Sequence, residues 1–429
     1  MSRWLHALIA SIFTATLVVM APATAEPANE FPVPAAGEAA QTSGIVASPT
    51  ARTASRQEQP GTWMRSLKDM LRDQPVSVSA GVDGTFLLHV RGADLRTPAS
   101  NEKLLLSMAL FDHFDPATRI PTTAKTGSRV LRGVVTGNLW IVGAGDPEIR
   151  DRDMSRLATA VVAAGIKRVR GSVIGDTRPF AHDDFATGWK SYFPKSVMPP
   201  PTALTFDANV DADGEIVHDP ERRAAASLTR ALRKNGVRVG GAPRMGRPSG
   251  KLRDMAAIAS ARLRAIVTRM DDDSINFDAE VLGKYLGQSV RGAPGTIAKG
   301  AAAIHAYASA RDVDVTVYDS SGLSYANRVT TDGILQLLWD ADAQTWLPRL
   351  MSALPKGGQG TLQGRLTGVT VRAKTGTLDG ISALSGWVWL ERSSAWAEFS
   401  ILSRGLSKSD AMAIENTVVR TLAKKATVP

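Results

Sequence analysis

The stretch Pro98-Ala99-Ser100-Asn101-Glu102-Lys103-Leu104-Leu105-Leu106 decides how the chain is read. Pro98 suits a first helical turn, where a missing N–H is no loss. An apolar run continues to Leu110 without a breaker, so the helix is predicted to be buried nearly all round. Ser100 and Lys103, three apart, share a helix face. A lysine inside a buried helix is costly unless it has a task. Taking a proton from the serine is one such task, because desolvation lowers an amine's pKa toward neutrality. The pair alone is not specific: Ser-x-x-Lys also occurs where a helix simply starts beside a solvated lysine.

Composition narrows the field. The chain has 429 residues, 44% hydrophobic and 21% charged, enough for two or three domains and a large core. Arg3, the apolar stretch Leu5 to Met20 and the small-x-small site Ala23-Thr24-Ala25 form an expected export signal over 1–25, cleaved near Ala25. Residues 26–60, rich in Ala, Pro, Ser, Thr and Gln, are expected to be a flexible linker. The chain has no cysteine, which removes thiol and cysteine–metal chemistry. The formal charge is +10, and dropping residues 1–25 removes only Arg3. Excess base on an exported protein suits an anionic wall or membrane surface, or serves solubility alone. No basic run is interleaved with aromatics, so nucleic acid is disfavoured. The histidines, at 6, 89, 113, 182, 218 and 305, form no zinc-binding pair, and no Gly-x-Ser-x-Gly elbow is present.

Along the chain, Trp63 to Leu71 has helical spacing, and Val76 to Val82 with Thr85 to Val90 around Asp83-Gly84 reads as a hairpin. Residues 130–174 alternate short β-like runs with a helix from Met154 to Ala164, and Glu221 to Lys234 is another helix. Helices are expected over Phe277 to Leu286 and Ile297 to Ala310, then a strand at Val313 to Val317. A second strand, Gly368 to Ala373, runs into Lys374-Thr375-Gly376-Thr377. Ile381 to Leu390 and Trp396 to Leu402 form a hairpin, and Asp410 to Lys424 the last helix.

Three elements therefore stand in order: Ser-x-x-Lys at 100–103, Ser274-Ile275-Asn276, and Lys374-Thr375-Gly376. Together they are the signature of penicillin-binding proteins and class A β-lactamases. Ala124-Lys125-Thr126-Gly127 repeats the last motif out of order, among polar residues, and is expected to be a surface turn.

On these motifs the chain resembles the low-molecular-mass class C penicillin-binding proteins, D-alanyl-D-alanine carboxypeptidases and endopeptidases, from about residue 62 to 425. Gly137-Asn138-Leu139, Gly145-Asp146-Pro147, Ser321-Gly322-Leu323-Ser324 and Gly360-Thr361-Leu362 match as well. The resemblance implies an α/β fold: a serine β-lactamase/transpeptidase-like domain, helices around an antiparallel sheet, at 61–127 and 259–429. One smaller α/β domain is inserted at 128–258. It implies Ser100 as nucleophile, Lys103 as base, Ser274 as proton relay and Asn276 as positioner. Lys374, Thr375, Gly376 and Thr377 would hold the terminal carboxylate, with backbone N–H groups of Ser100 and Thr377 as oxyanion hole. The implied substrate is a peptidoglycan stem peptide and the implied inhibitors are β-lactams, with no metal or cofactor required. The implied location is the periplasm or cell envelope.

Two departures stand out. Only about ten residues separate Asn209 from Pro220, where many relatives carry a further β-rich domain. Where members that grip a diaminopimelate end have an acidic residue and an arginine, this chain has Phe193 and Tyr325, which predicts a more apolar pocket. A non-catalytic wall-binding homologue is the rival expectation. A β-lactamase would need a Glu-x-x-x-Asn loop, which is not evident.

Overall fold

The structure, a computed structural model, describes residues 61–428, so the expected signal and linker (1–25 and 26–60) lie outside the described residues. Helix α1 (Thr62–Leu71) buries Trp63, Leu67 and Leu71, one face at helical spacing. Strands β1 (Val76–Val82) and β2 (Thr85–Val90) follow, and both turn residues between them, Asp83 and Gly84, have positive φ, as a tight hairpin requires. A 3₁₀ turn at Ala99–Asn101 leads into α2 (Glu102–His113), buried at every residue from Glu102 to Phe111.

The chain goes on with β3 (Arg119–Thr126), β4 (Val130–Leu131), β5 (Val134–Val135), β6 (Leu139–Gly143) and α3 (Asp151–Ala163). It continues through β7 (Arg168–Val169), β8 (Val173–Asp176), the short α4 (Phe193–Ser196), α5 (Pro220–Lys234), β9 (Arg238–Val239), β10 (Arg244–Gly246) and β11 (Arg253–Arg262). Then come α6 (Leu263–Asp272), α7 (Asn276–Arg291), α8 (Ile297–Ser309), α9 (Thr331–Asp342) and α10 (Leu347–Ala353). The described chain ends with β12 (Val371–Leu378), β13 (Ile381–Leu390), β14 (Ala395–Arg404) and α11 (Lys408–Lys425).

The main sheet has the order β12-β13-β14-β1-β2 and is antiparallel throughout. Its N-terminal hairpin pairs with the C-terminal strand, Val76 opposite Ser403 and Ala80 opposite Phe399. One face carries α1 and α11: Leu67 and Leu71 meet Val78, Phe399, Val418 and Leu422. The other carries α2, α6, α7, α8 and α9, through Leu105, Met108, Ile266, Leu282, Ile304 and Leu338. β12 is an edge strand, so one side of its backbone is left for a peptide or a loop.

Two further sheets, β10-β8-β6-β3-β11 and β4-β5-β7-β9, form a second layer, over which Met154, Leu157 and Val161 of α3 pack with Leu228 and Leu232 of α5. Strands β3 and β11 pair with each other at the root of this layer, so its sheet spans 119–262 and the boundaries at 128 and 258 cut across it. Lys125 and Thr126 lie within β3, not in a surface turn, and Lys125 pairs with Asp254 at 2.8 Å. Cross-strand pairing accounts for the second Lys-Thr-Gly copy. Residues 313–317 form no strand: only Thr316 bridges to Arg328, because Asp319 and its partners hold the following segment as a loop. Lys374-Thr375-Gly376-Thr377 lies inside β12, which starts later than expected and continues through Leu378.

The buried α2 generates a stability prediction. Leu106, fully buried, loses transfer and cavity energy on Leu106→Ala, so chemical denaturation is expected to show a loss of about 2–5 kcal/mol. Leu95→Ala, at a 60% exposed site, should change stability by less than about 0.5 kcal/mol.

Candidate active site

Ser100 sits at a clamped elbow. Ala99, just before it, is held at φ 48, a left-handed conformation that costs a non-glycine residue about 1–3 kcal/mol. Two glycines pack against that elbow. A Cβ on Gly322 would stand 1.9 Å from the Ala99 carbonyl oxygen, and one on Gly376 would stand 2.9 Å from that of Pro98. Only glycine allows both approaches, so the loop after Asp319 and strand β12 close on Ser100 from two sides.

Lys103, one turn after Ser100 and the second residue of α2, is fully buried. Its Nζ lies 3.1 Å from Ser100 Oγ, 2.7 Å from Asn276 Oδ1 and 2.6 Å from the Ser321 carbonyl oxygen. Burial, and then the positive charge of Lys374, pushes the amine down to about 7. The amide oxygen and the carbonyl oxygen can only accept. A neutral Nζ gives its two N–H groups to them, which turns its lone pair toward the serine hydroxyl.

Asn276 opens α7, and Ser274, two residues earlier, is held at φ 57. The Ser274 hydroxyl makes no hydrogen bond to another described residue. Lys374 is fully buried in β12, with its Nζ 3.1 Å from the Thr375 carbonyl. Burial pushes it down to about 8, against the opposing charges of Asp271 and Asp272. Asn101 ties the two motifs together: its Nδ2 donates to the Lys374 carbonyl at 2.9 Å. Thr375 is buried and Thr377 exposed at the strand's end.

Residues that the motifs did not mark hold the loop carrying Ser321. Asp319 accepts from Trp189 Nε1 (2.7 Å), Ser321 Oγ (3.3 Å), the N–H groups of Gly322 (3.1 Å) and Ser324 (2.8 Å), and Asn327 Nδ2 (2.7 Å). Glu280 Oε1 accepts the N–H groups of Ser320 and Ser321. Burial, then the charge of Asp319, pushes Glu280 up to about 8, and burial, Asp319 and Glu280 push Glu102 well above the carboxylate range. The sequence held one signal for this arrangement, the acid at the head of Asp319-Ser320-Ser321-Gly322. The Ser321 contact uses a backbone atom, which no residue type announces.

Phe193 is buried among Trp189, Met198, Phe277 and Leu323. Ile275, Tyr325 and Leu378 pack on the same cluster, which brings it beside two of the three motifs. Tyr325 Oη accepts the Asp379 N–H at 3.1 Å, and Lys190 Nζ lies 4.9 Å from the Tyr325 ring centroid and 3.6 Å from the Asp379 carboxylate.

The model of the D-Ala-D-Ala carboxypeptidase 3 (S13) family matches residues 67–213 and 214–425. The chain is 27% identical over 451 aligned positions to a D-alanyl-D-alanine carboxypeptidase of Actinomadura sp. R39, covering 84% of this chain and 83% of that one. It is 28% identical to carboxypeptidase DacB of Mycolicibacterium smegmatis, covering 74% and 73%. Its fold is similar to that of penicillin binding protein 4 from Haemophilus influenzae, with a TM-score of 0.73, 20% identity and coverage of 83% and 99%. That protein has also been solved in complex with a β-lactam.

The hub role of Asp319 is testable by denaturation. Asp319→Asn is expected to cost about 1.5–3 kcal/mol, the worth of hydrogen bonds to a buried charge. Asp379→Asn, whose side chain is 87% exposed, should be near neutral. Equal stability of both variants would show that Asp319 does not hold the loop.

Proposed function

Because the chain belongs to the D-Ala-D-Ala carboxypeptidase 3 (S13) family, we propose that its buried serine–lysine pair cleaves the end of peptidoglycan stem peptides through an acyl-enzyme on Ser100. The activity is that of a serine-type D-alanyl-D-alanine carboxypeptidase, inhibited by β-lactams. One observation carries the residue assignment: Lys103 Nζ is 3.1 Å from Ser100 Oγ, with its N–H groups directed to Asn276 and Ser321.

Ser100 Oγ attacks the carbonyl of the penultimate D-Ala while its proton passes to neutral Lys103. Backbone N–H groups of Ser100 and Thr377 take the developing oxyanion; one such donor is typically worth about 100–1000-fold in rate. Ser274, whose hydroxyl has no competing partner among the described residues, passes a proton to the leaving amine. Asn276 holds Lys103 and the substrate amide. Thr375 and Thr377 hydrogen-bond the terminal carboxylate, Lys374 adds its charge from within the strand, and Gly376 packs close on the Ser100 elbow. D-Ala leaves and water hydrolyses the ester. With a β-lactam the leaving group stays tethered after ring opening, so the ester persists.

Phe193 and Tyr325 give the wall beside this cleft an apolar character, supported by their shared cluster with Ile275 and Leu378. We assign catalysis to the domain built on the main sheet and treat 119–262 as the insert. Residues 1–25 are taken to direct export, with the protein working in the periplasm or cell envelope. The excess positive charge suits an anionic wall or membrane surface there.

Fluorescent penicillin is expected to label the wild type covalently and Ser100→Ala not at all. An unlabelled wild type would favour the non-catalytic wall-binding alternative. The pH profile adds a second measurement. Neutral Lys103 accumulates as pH rises through about 7, and charged Lys374 is lost as pH passes about 8. Penicillin acylation should therefore rise about tenfold per unit below pH 7, peak between about 7 and 8, and fall above. A flat profile from pH 5 to 10 contradicts Lys103 as base.

A further inference from the structure

Lys408 is a half-buried cation at the start of a helix, held by a hydroxyl and a carbonyl instead of an ion pair. It is the first residue of α11, following the N-cap Ser407. A cation there opposes the helix dipole, which favours acids at that end. Among the described residues no carboxylate lies within ion-pair distance of it. Glu415, whose charge acts on Lys408, already accepts from Arg365 Nη2 and Ser382 Oγ, each at 2.6 Å. Lys408 Nζ donates instead to Ser382 Oγ at 2.7 Å and, at the long distance of 3.4 Å, to the carbonyl of Gly376. One N–H is left without a described acceptor, and the bond to Gly376 is weak enough to exchange.

The register shows what this ammonium faces. Thr377 is paired with Ser382 across β12 and β13. Side chains alternate along a strand, so Gly376 and Lys374 look toward the Ser100 elbow, while Thr375 and Thr377 share the α11 side with Ser382. The exposed hydroxyl of Thr377, the hydroxyl of Ser382 and the ammonium of Lys408 thus share one side of the strand end. Lys374, by contrast, is fully buried and bonded to its own strand, so it acts on an incoming anion through its field.

We propose that Lys408 is a specificity residue of this site: it contacts the free terminal carboxylate of the substrate beside Thr375 and Thr377. This rests on the function proposed above. The ligand class is a small anionic carboxylate at the end of an extended peptide, or the equivalent carboxylate of a penicillin. No bond is made or broken at Lys408.

The test compares a peptide ending in D-Ala-D-Ala with the same peptide ending in the carboxamide. Wild type, Lys408→Met and Lys408→Arg are assayed for release of the last residue and for penicillin acylation. The acid-to-amide ratio of kcat/KM is expected to fall about tenfold in Lys408→Met, mostly through KM for the acid, and to be largely kept in Lys408→Arg. An equal loss on both peptides would mean that Lys408 only supports the packing of α11, and an unchanged ratio would mean that it plays no part; either overturns the proposal. A wild type that releases nothing and takes no penicillin label overturns the parent function as well, which separates the two failures.

Discussion

The site depends on burying a lysine amine completely and giving it a use. An unpaired ammonium in an apolar interior is strongly unfavourable, so the group either finds partners or loses its charge. Lys103 does both. Its N–H groups meet two oxygens that can only accept, and its pKa falls to about 7 under burial and the repulsion of Lys374. Those two oxygens come from distant parts of the chain, the start of α7 and the loop after Asp319, while Ser100 lies in the 3₁₀ turn just before α2. A loose fold would leave such an amine in water, protonated. The close packing of Leu104, Leu105 and Leu106 beside it is thus part of the chemistry and not merely its support.

That burial has costs, which the surroundings offset. Ala99 and Ser274 are held in left-handed conformations next to Ser100 and Asn276. Such strain persists only where the surroundings over-determine it. Here Gly322 and Gly376 press on the elbow, and the five hydrogen bonds to Asp319 fix the loop from which the Ser321 carbonyl reaches Lys103. Glu280, one turn after Asn276, carries both ends of the arrangement: its helix brings Asn276 and its carboxyl holds the backbone of Ser320 and Ser321. Its raised pKa, and that of Glu102, keep the cluster from gathering three full negative charges.

Much of this was legible in the sequence because it is local. A serine and lysine three apart, a run of leucines, a β-hairpin with Asp83-Gly84 and a final strand pair are short-range patterns, and the structure has each of them. Long-range pairing set the limits. Whether Lys125-Thr126 was strand or turn depended on β11, more than a hundred residues later. Val313 to Val317 has the composition of a strand but no neighbouring strand to pair with beyond the single bridge to Arg328. The Ser321 carbonyl and the position of Lys408 beside Gly376 are tertiary facts without a residue-type signature.

Charge at the cleft then bears on what is recognised. Lys374 acts from within, while Lys190 and Lys408 stand at opposite margins of β12, one over Tyr325 and one at Gly376. Against them stand two acids already engaged, Asp379 with Lys190 and Glu415 with Arg365 and Ser382. A field of this sign draws an anionic chain end toward β12 and strengthens as water is excluded. On the other wall, Phe193 and Tyr325 bring no charge with which to bind a zwitterionic side-chain end. Under the proposed function, discrimination would therefore be concentrated at the terminal carboxylate, where Coulomb attraction and strand-edge hydrogen bonds act on the same group. On that reading the rest of the peptide would meet an apolar surface that excludes water and leaves the identity of its side chain largely unread.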